Sequence, residues 1–202
     1  MPTPDVHIEG AILAGGRSSR MGRDKSALVL GGVSVLERIG SSMAPLVTRI
    51  RVIGNRVTES AGYVVQPDLR PGLGPLSGIH AALATTESSS VLVVACDLPF
   101  VTTELLAGLI ELLEDGTEAV VPRVSGRAVP VCALYRRACL ERLHARLDRG
   151  ELKAHQFVAS LATTYVDDDM LERLDPRGIC LKNINTPEDL ERAQEIADSE
   201  LK

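Results

Sequence analysis

The sequence predicts an α/β fold, a parallel sheet covered by helices on both faces. Three observations lead there. Short apolar runs alternate with stretches of helical periodicity along the chain. The run Val91-Leu92-Val93-Val94-Ala95 is continuously apolar, as a strand buried on both faces must be. A length of 202 residues with 45% hydrophobic content suits one domain, here taken as residues 1–202, with a sizeable core.

In chain order, residues 8–13 are the first strand, and 10–26 run from it through a glycine-rich, basic loop to the apolar residues 27–30. Residues 33–45 place Val35, Leu36, Ile39 and Met43 at helical spacing. Residues 48–53 alternate, which predicts a half-exposed strand ended by Gly54-Asn55. A short strand at 63–65 precedes Pro67-Asp68, a helix follows over 76–84, and the buried strand covers 91–95. The amphipathic segment 103–113 has Thr102 or Thr103 to cap it. Strands are expected over 118–121 and 129–135, helices over 138–146 and 154–161. A late strand at 163–166 and a closing helix over 187–196 complete the pattern. No repeat or low-complexity tract interrupts it.

Composition narrows the function classes. Aromatics make up 2% of the chain and there is no Trp, so stacking platforms for single-stranded nucleic acid are nearly missing. A net charge of −5 argues against a broad basic face for nucleic acid. Basic residues cluster locally between Arg17 and Lys25, which suits a small anion. Cys96, Cys132, Cys139 and Cys180 show no C-x-x-C pairing, and their apolar neighbours predict buried free thiols. His7, His80, His144 and His155 are scattered and read as surface or core filler. With no signal-peptide pattern and no apolar run approaching a membrane span, a cytoplasmic location is expected.

Parallel sheets collect ligands at the carboxyl ends of their strands, which directs attention to Gly15–Lys25, Asn55, Asp68 and Asp97. In the first loop, glycines let backbone N–H groups close on a phosphate while Arg17, Arg20, Arg23 and Lys25 supply positive charge. A flexible surface turn has the same composition. The loop is not a Walker loop, because Arg23 and Asp24 separate Gly22 from Lys25-Ser26. It is not a dinucleotide fingerprint either, because Gly15 and Gly16 are adjacent.

Asp97 follows the buried strand and precedes Leu98-Pro99, a placement that fits a carboxylate holding Mg²⁺ on a phosphate, or one that starts a turn or caps the next helix. Asp68 lies in a stiff Pro/Gly loop that reads equally as an ordinary turn. Asn55 could contact a base edge or a ribose, or simply occupy a turn.

The ordered set Leu13-Ala14-Gly15-Gly16, Arg20-Met21-Gly22, Asp24-Lys25, Gly74-Pro75-Leu76-Ser77-Gly78, Cys96-Asp97-Leu98-Pro99 and Asn183-Ile184-Asn185-Thr186-Pro187-Glu188-Asp189 resembles the molybdenum cofactor guanylyltransferases along essentially the whole chain. The opening motif is shared by many nucleotidyltransferases, and the tail is more selective. The resemblance implies a three-layer α/β/α, Rossmann-like nucleotidyltransferase fold with a mostly parallel sheet. It implies Mg²⁺ as cofactor, and GTP and molybdenum-loaded molybdopterin as partners. Transient contact with molybdoenzyme maturation proteins is admitted, and neither nucleic acid nor membrane is expected.

Carried over by position, the GTP site falls on Leu13, Ala14, Gly15, Gly16, Lys25, Asn55, Asp68 and Asp97, with Asp97 also the metal ligand. Asn183 and Asn185 fall where the family approaches the pterin phosphate and metal, and Arg20 faces the phosphates. Lys25, Asp97 and Arg20 are the implied catalytic set. Val129 stands where a polar residue is frequent, and residues 150–155 carry fewer arginines than usual. The rival readings are a cytidylyltransferase, acting on the same pterin or on a sugar or alcohol phosphate, and a nucleotide-binding regulator without turnover.

Overall fold

The computed structural model describes residues 7–14, 27–55, 57 and 60–200. Its sheet runs in the order β10-β7-β9-β6-β1-β4-β5, with β8 paired to β7. The strands are β1 (Ile8–Leu13), β4 (Ile50–Ile53), β5 (Val64–Gln66), β6 (Ser90–Ala95), β7 (Ala119–Val124), β8 (Arg127–Ala128), β9 (Cys132–Arg136) and β10 (Thr163–Val166). β6, β1, β4 and β5 are mutually parallel, as are β7 and β10. β9 runs antiparallel to both β6 and β7, so the sheet is mostly but not wholly parallel.

β1 and β6 are buried at every position, as expected for strands covered on both faces. Alternate residues go to opposite faces. Ile8, Ile12, Leu92 and Val94 join one core, which includes Leu36, Ile39, Leu105 and Ala197. Ala11, Leu13, Val91 and Val93 join the other, with Leu76, Ile79, Leu143 and Phe157. The first core is roofed by α1 (Val35–Met43), α3 (Thr103–Glu111), α6 (Asp168–Leu174) and α7 (Pro187–Ser199). The second is roofed by α2 (Pro75–Thr85), α4 (Leu140–Asp148) and α5 (Ala154–Ala159). This is the three-layer α/β/α arrangement.

Local chemistry sets the helix starts. Ser34 and Glu37 form a reciprocal capping box at the start of α1, and Thr102 caps α3 by accepting from Leu105 N at 3.3 Å. Gly74 precedes α2 with φ +75° and ψ −160°, a conformation open essentially to glycine alone, and Pro75 then opens the helix.

Several expectations are revised. β4 is not half-exposed: Arg51 is 2% exposed and pairs with the buried Glu9 of β1 at 2.7 Å. Thr85 and the Ala82 carbonyl of α2 also accept from the Arg51 guanidinium. Alternation of Arg with Ile and Val therefore marks a buried ion pair rather than a solvent face. Residues 29–34 form a small antiparallel hairpin of β2 (Val29–Leu30) and β3 (Val33–Ser34). α6, whose acidic first turn disguised it, was not expected from periodicity. The stretch 129–135 begins as a strand only at Cys132.

Candidate active site

The four parallel strands β6, β1, β4 and β5 point their carboxyl ends to one edge, and each end is tied to its neighbour by main-chain bonds. Cys96 N donates to the Leu13 carbonyl at 3.0 Å, Ala14 N to Ile53 at 2.8 Å, and Gly54 N to Gln66 at 2.9 Å. Leu13, Ala14, Asn55, Asp68 and Asp97 thus come to a common edge, the place where open α/β sheets bind ligands. Beneath them α2 lies close, since a Cβ on Gly78 would come within 3.2 Å of the Leu13 side chain.

Asp97 is partly buried in the turn that leaves β6, where Leu98 N donates to the Ala95 carbonyl at 3.1 Å. It does not cap α3, because Thr102 does. Its own carbonyl accepts from Ile184 N at 2.9 Å, which brings the 183–185 segment to the same corner, 87 positions further along the chain (184 − 97). Ile184 is buried at 2% exposure between exposed Asn183 and partly buried Asn185. The segment is held from behind by Asp189, whose Oδ2 accepts from Asn185 N at 3.0 Å and Thr186 N at 2.9 Å. Those two amides hold the Asp189 carboxyl below the usual carboxylate range. Thr186 returns a cap to Asp189 N, and Pro187 opens α7. The tail motif is therefore an anchor that seats two asparagines beside Asp97.

At the other end of the edge, Asn55 pairs with the main chain of Asp68. Its Oδ1 accepts from Asp68 N at 3.0 Å and its Nδ2 donates to the Asp68 carbonyl at 3.4 Å. Asp68 Oδ1 accepts from Arg70 N at 2.9 Å and lies against the Ser77 hydroxyl of α2. The geometry is an Asx turn fastened to a helix, so the Pro/Gly loop is ordered by specific bonds.

Gly15, Gly16, Arg20 and Lys25 lie outside the described residues. The four cysteines are buried thiols outside any disulfide, and burial pushes Cys132, Cys139 and Cys180 up to about 12. The histidines are not all scattered: His80 of α2 and His144 of α4 are joined, Nε2 to Nδ1, at 3.1 Å. Residues 64 apart gave no sign of this, because helix packing alone brings them together. Ser77, Arg70 and Asp189 were likewise missed as supports of the site. Only the T-P-E-D cap signature was there to be read for Asp189.

Among the described residues, no group of three or more His, Cys, Asp or Glu side chains is placed to hold a metal by itself. The Asp97 carboxylate, on a main chain tied to the segment that carries Asn183 and Asn185, is a hard-oxygen donor of the kind Mg²⁺ takes together with substrate phosphates and water rather than a dedicated protein cage.

A family model described as the MobA-like NTP transferase domain matches residues 10–164. A protein of Pelotomaculum thermopropionicum named "probable molybdenum cofactor guanylyltransferase" is 36% identical over 96% of this chain and 95% of its own. The molybdenum cofactor guanylyltransferase of Vibrio parahaemolyticus is 32% identical over 89% of this chain and 91% of its own. The crystal structure of molybdopterin-guanine dinucleotide biosynthesis protein A from Archaeoglobus fulgidus superposes with a TM-score of 0.81 at 29% identity, covering 95% of this chain and 99% of that one.

Proposed function

The chain belongs to the family of MobA-like NTP transferase domains, and from that premise we propose that it transfers GMP from GTP to the phosphate of molybdenum-loaded molybdopterin. The observation that carries the reading is the tie between Asp97 and the Asn183–Asn185 segment, on the edge that also gathers Leu13, Ala14, Asn55 and Asp68. The relatives named guanylyltransferases support the choice of GTP and of the pterin.

In the transfer, a phosphate oxygen of molybdopterin bonds to the α-phosphorus of GTP while the bond from that phosphorus to the bridging oxygen of the β-phosphate breaks. Pyrophosphate leaves. The attacking phosphate is already ionised, so no general base is needed, and none is assigned. The demand is to bring two anions into line and to stabilise charge on the leaving group.

Asn55 and Asp68 hold the nucleoside end, in a loop fixed by their mutual bonds. The Gly15 and Gly16 amides with Lys25 and Arg20 neutralise the pyrophosphate, following the family resemblance. Asp97, with Asn183 and Asn185 beside it, would hold Mg²⁺. When bound, that cation lowers the repulsion between the two phosphates. The protein acts in the cytoplasm on this reading.

Thermal shift with GTP, ATP, CTP and UTP, each with and without Mg²⁺, tests the proposal. GTP with Mg²⁺ is expected to raise the melting temperature most, since a ligand bound only to the folded state stabilises it by mass action. A preference for CTP overturns the guanylyl reading in favour of a cytidylyltransferase. Binding of GTP without any transfer to molybdopterin favours the regulator.

A further inference from the structure

Behind the Asp68 loop lies a polar chain that the proposed chemistry leaves unused. The Arg70 guanidinium reaches across to α4, bonding Asp148 Oδ1 at 2.7 Å and His144 Nε2 at 3.3 Å. His144 Nδ1 in turn meets His80 Nε2 at 3.1 Å, with the two rings 5.4 Å apart. Asp148 Oδ2 lies 3.5 Å from the same His144 Nε2. Ser77 closes the assembly by contacting both Asp68 Oδ1 and the Arg70 carbonyl.

A guanidinium can only donate, and this orders the protons. With Arg70 donating to Nε2, neutral His144 carries its proton on Nδ1 and donates it to His80 Nε2. His80 then carries its proton on Nδ1. That atom is buried and has no hydrogen-bond partner among the described residues, in a side chain of a residue only 5% exposed. A core packed for stability alone would place an apolar side chain there. The network instead joins α2, α4 and the 66–74 loop at the point where Asp68 is presented.

We propose that Arg70 and His144 are positioning residues, which lock the 66–74 loop onto α2 and α4 so that Asp68 and Asn55 are preformed for the nucleotide. The inference rests on the reading of Asp68 as a nucleotide residue. Neither side chain touches the reacting phosphates. Their loss should weaken nucleotide capture and spare the chemical step, because an unfastened loop must be ordered by the nucleotide each time it binds.

The test combines hydrogen exchange of residues 66–76 in the free protein with steady-state kinetics in GTP. His144→Ala and Arg70→Lys are each expected to speed exchange in that segment about tenfold and to raise KM for GTP about five- to tenfold, with kcat within about twofold of wild type. The double variant should be little worse than either single one, because both break the same link. His144→Gln, whose carbonyl can still accept from Arg70, should recover part of the loss. It also keeps the test sound if the alanine variant fails to fold.

Unchanged exchange over 66–76 in both single variants overturns the lock. Faster exchange with unchanged KM, or a fall in kcat alone, overturns the positioning role. If the wild type does not use GTP, the guanylyl reading falls, and the exchange measurement by itself decides whether the lock exists.

Discussion

The two ends of the sheet's carboxyl edge differ in how the side chains nearest the strand ends are held. Along β6, β1, β4 and β5, polar groups are fastened to main-chain partners: Asp68 to Arg70 N, Asn55 to the Asp68 peptide, Asp189 to the Asn185 and Thr186 amides. Along β7 and β10, Asp168 also accepts from Ser125 N at 3.0 Å, but its neighbour Asp167 closes on Arg123 at the surface. Arg123 makes a bidentate pair with Asp167 at 2.6 and 2.8 Å and lies over the Tyr165 ring at 4.5 Å. Side chains held by amides keep their geometry without a second long side chain to order, and salt screens them little. Exposed ion pairs are screened and contribute little. The difference teaches that where ligands are expected the site side chains are set by main-chain amides, whereas the rim relies in part on an ion pair open to solvent.

The largest blow to the first region comes from beneath it. Arg51 and Glu9 cross-link β4 and β1 inside the core, and burial draws Arg51 below its ordinary value despite the attraction of Glu9. Arg51→Met leaves Glu9 buried without its cation and should cost about 3–5 kcal/mol in urea unfolding. Adding Glu9→Gln should return much of that loss, since breaking a buried pair is worse than removing it.

Next in size is Asp97→Asn, which keeps shape and removes charge. Transfer should fall on the order of 10²-fold or more while the melting temperature and weakened GTP binding persist. On the opposite rim, Asp167→Asn breaks the Arg123 pair, yet the melting temperature should not move measurably at low or high salt. A comparable loss from both substitutions would erase the contrast between the two ends.

The smallest expected effect is a pH dependence. Burial first, then the charge of Arg70 and the proximity of His144, hold His80 below the usual histidine value, against the opposing pull of Asp68 and Asp148. The unfolded chain therefore binds a proton before the folded one does. Stability should fall as pH drops below about 6.5 and level off once the folded-state value is passed. His80→Gln should flatten that slope in pH-dependent unfolding, and an unchanged slope would assign it to another group.

How much of this was legible varied with the range of the interaction involved. Ile8–Leu13 and Ser90–Ala95 declared themselves, because a strand buried on both faces must be apolar throughout. Thr102 and the Thr186-Pro187-Glu188-Asp189 start carried their caps within four residues, so their helices could be placed. The carboxyl-edge location of Asn55, Asp68 and Asp97 followed from strand alternation alone. Arg51 misled, since a half-exposed strand and a buried ion pair share one alternation pattern and only the position of Glu9 on the neighbouring strand separates them. α6 escaped because its apolar face is short and its first turn is acidic.

By itself, then, the sequence determined the α/β class, the capped helices, the buried thiols and the strand ends at which polar residues wait. These depend on periodicity and on contacts within a turn or two of chain. The tertiary structure alone decided that β9 runs antiparallel between β6 and β7. It also decided that Ile184 binds the Asp97 peptide and that His80, His144, Arg70 and Asp148 meet behind the Asp68 loop. Those partners are brought together by the packing of layers, whose free energy depends on the total apolar area buried, and no local run of residues records which distant side chains that packing will make neighbours.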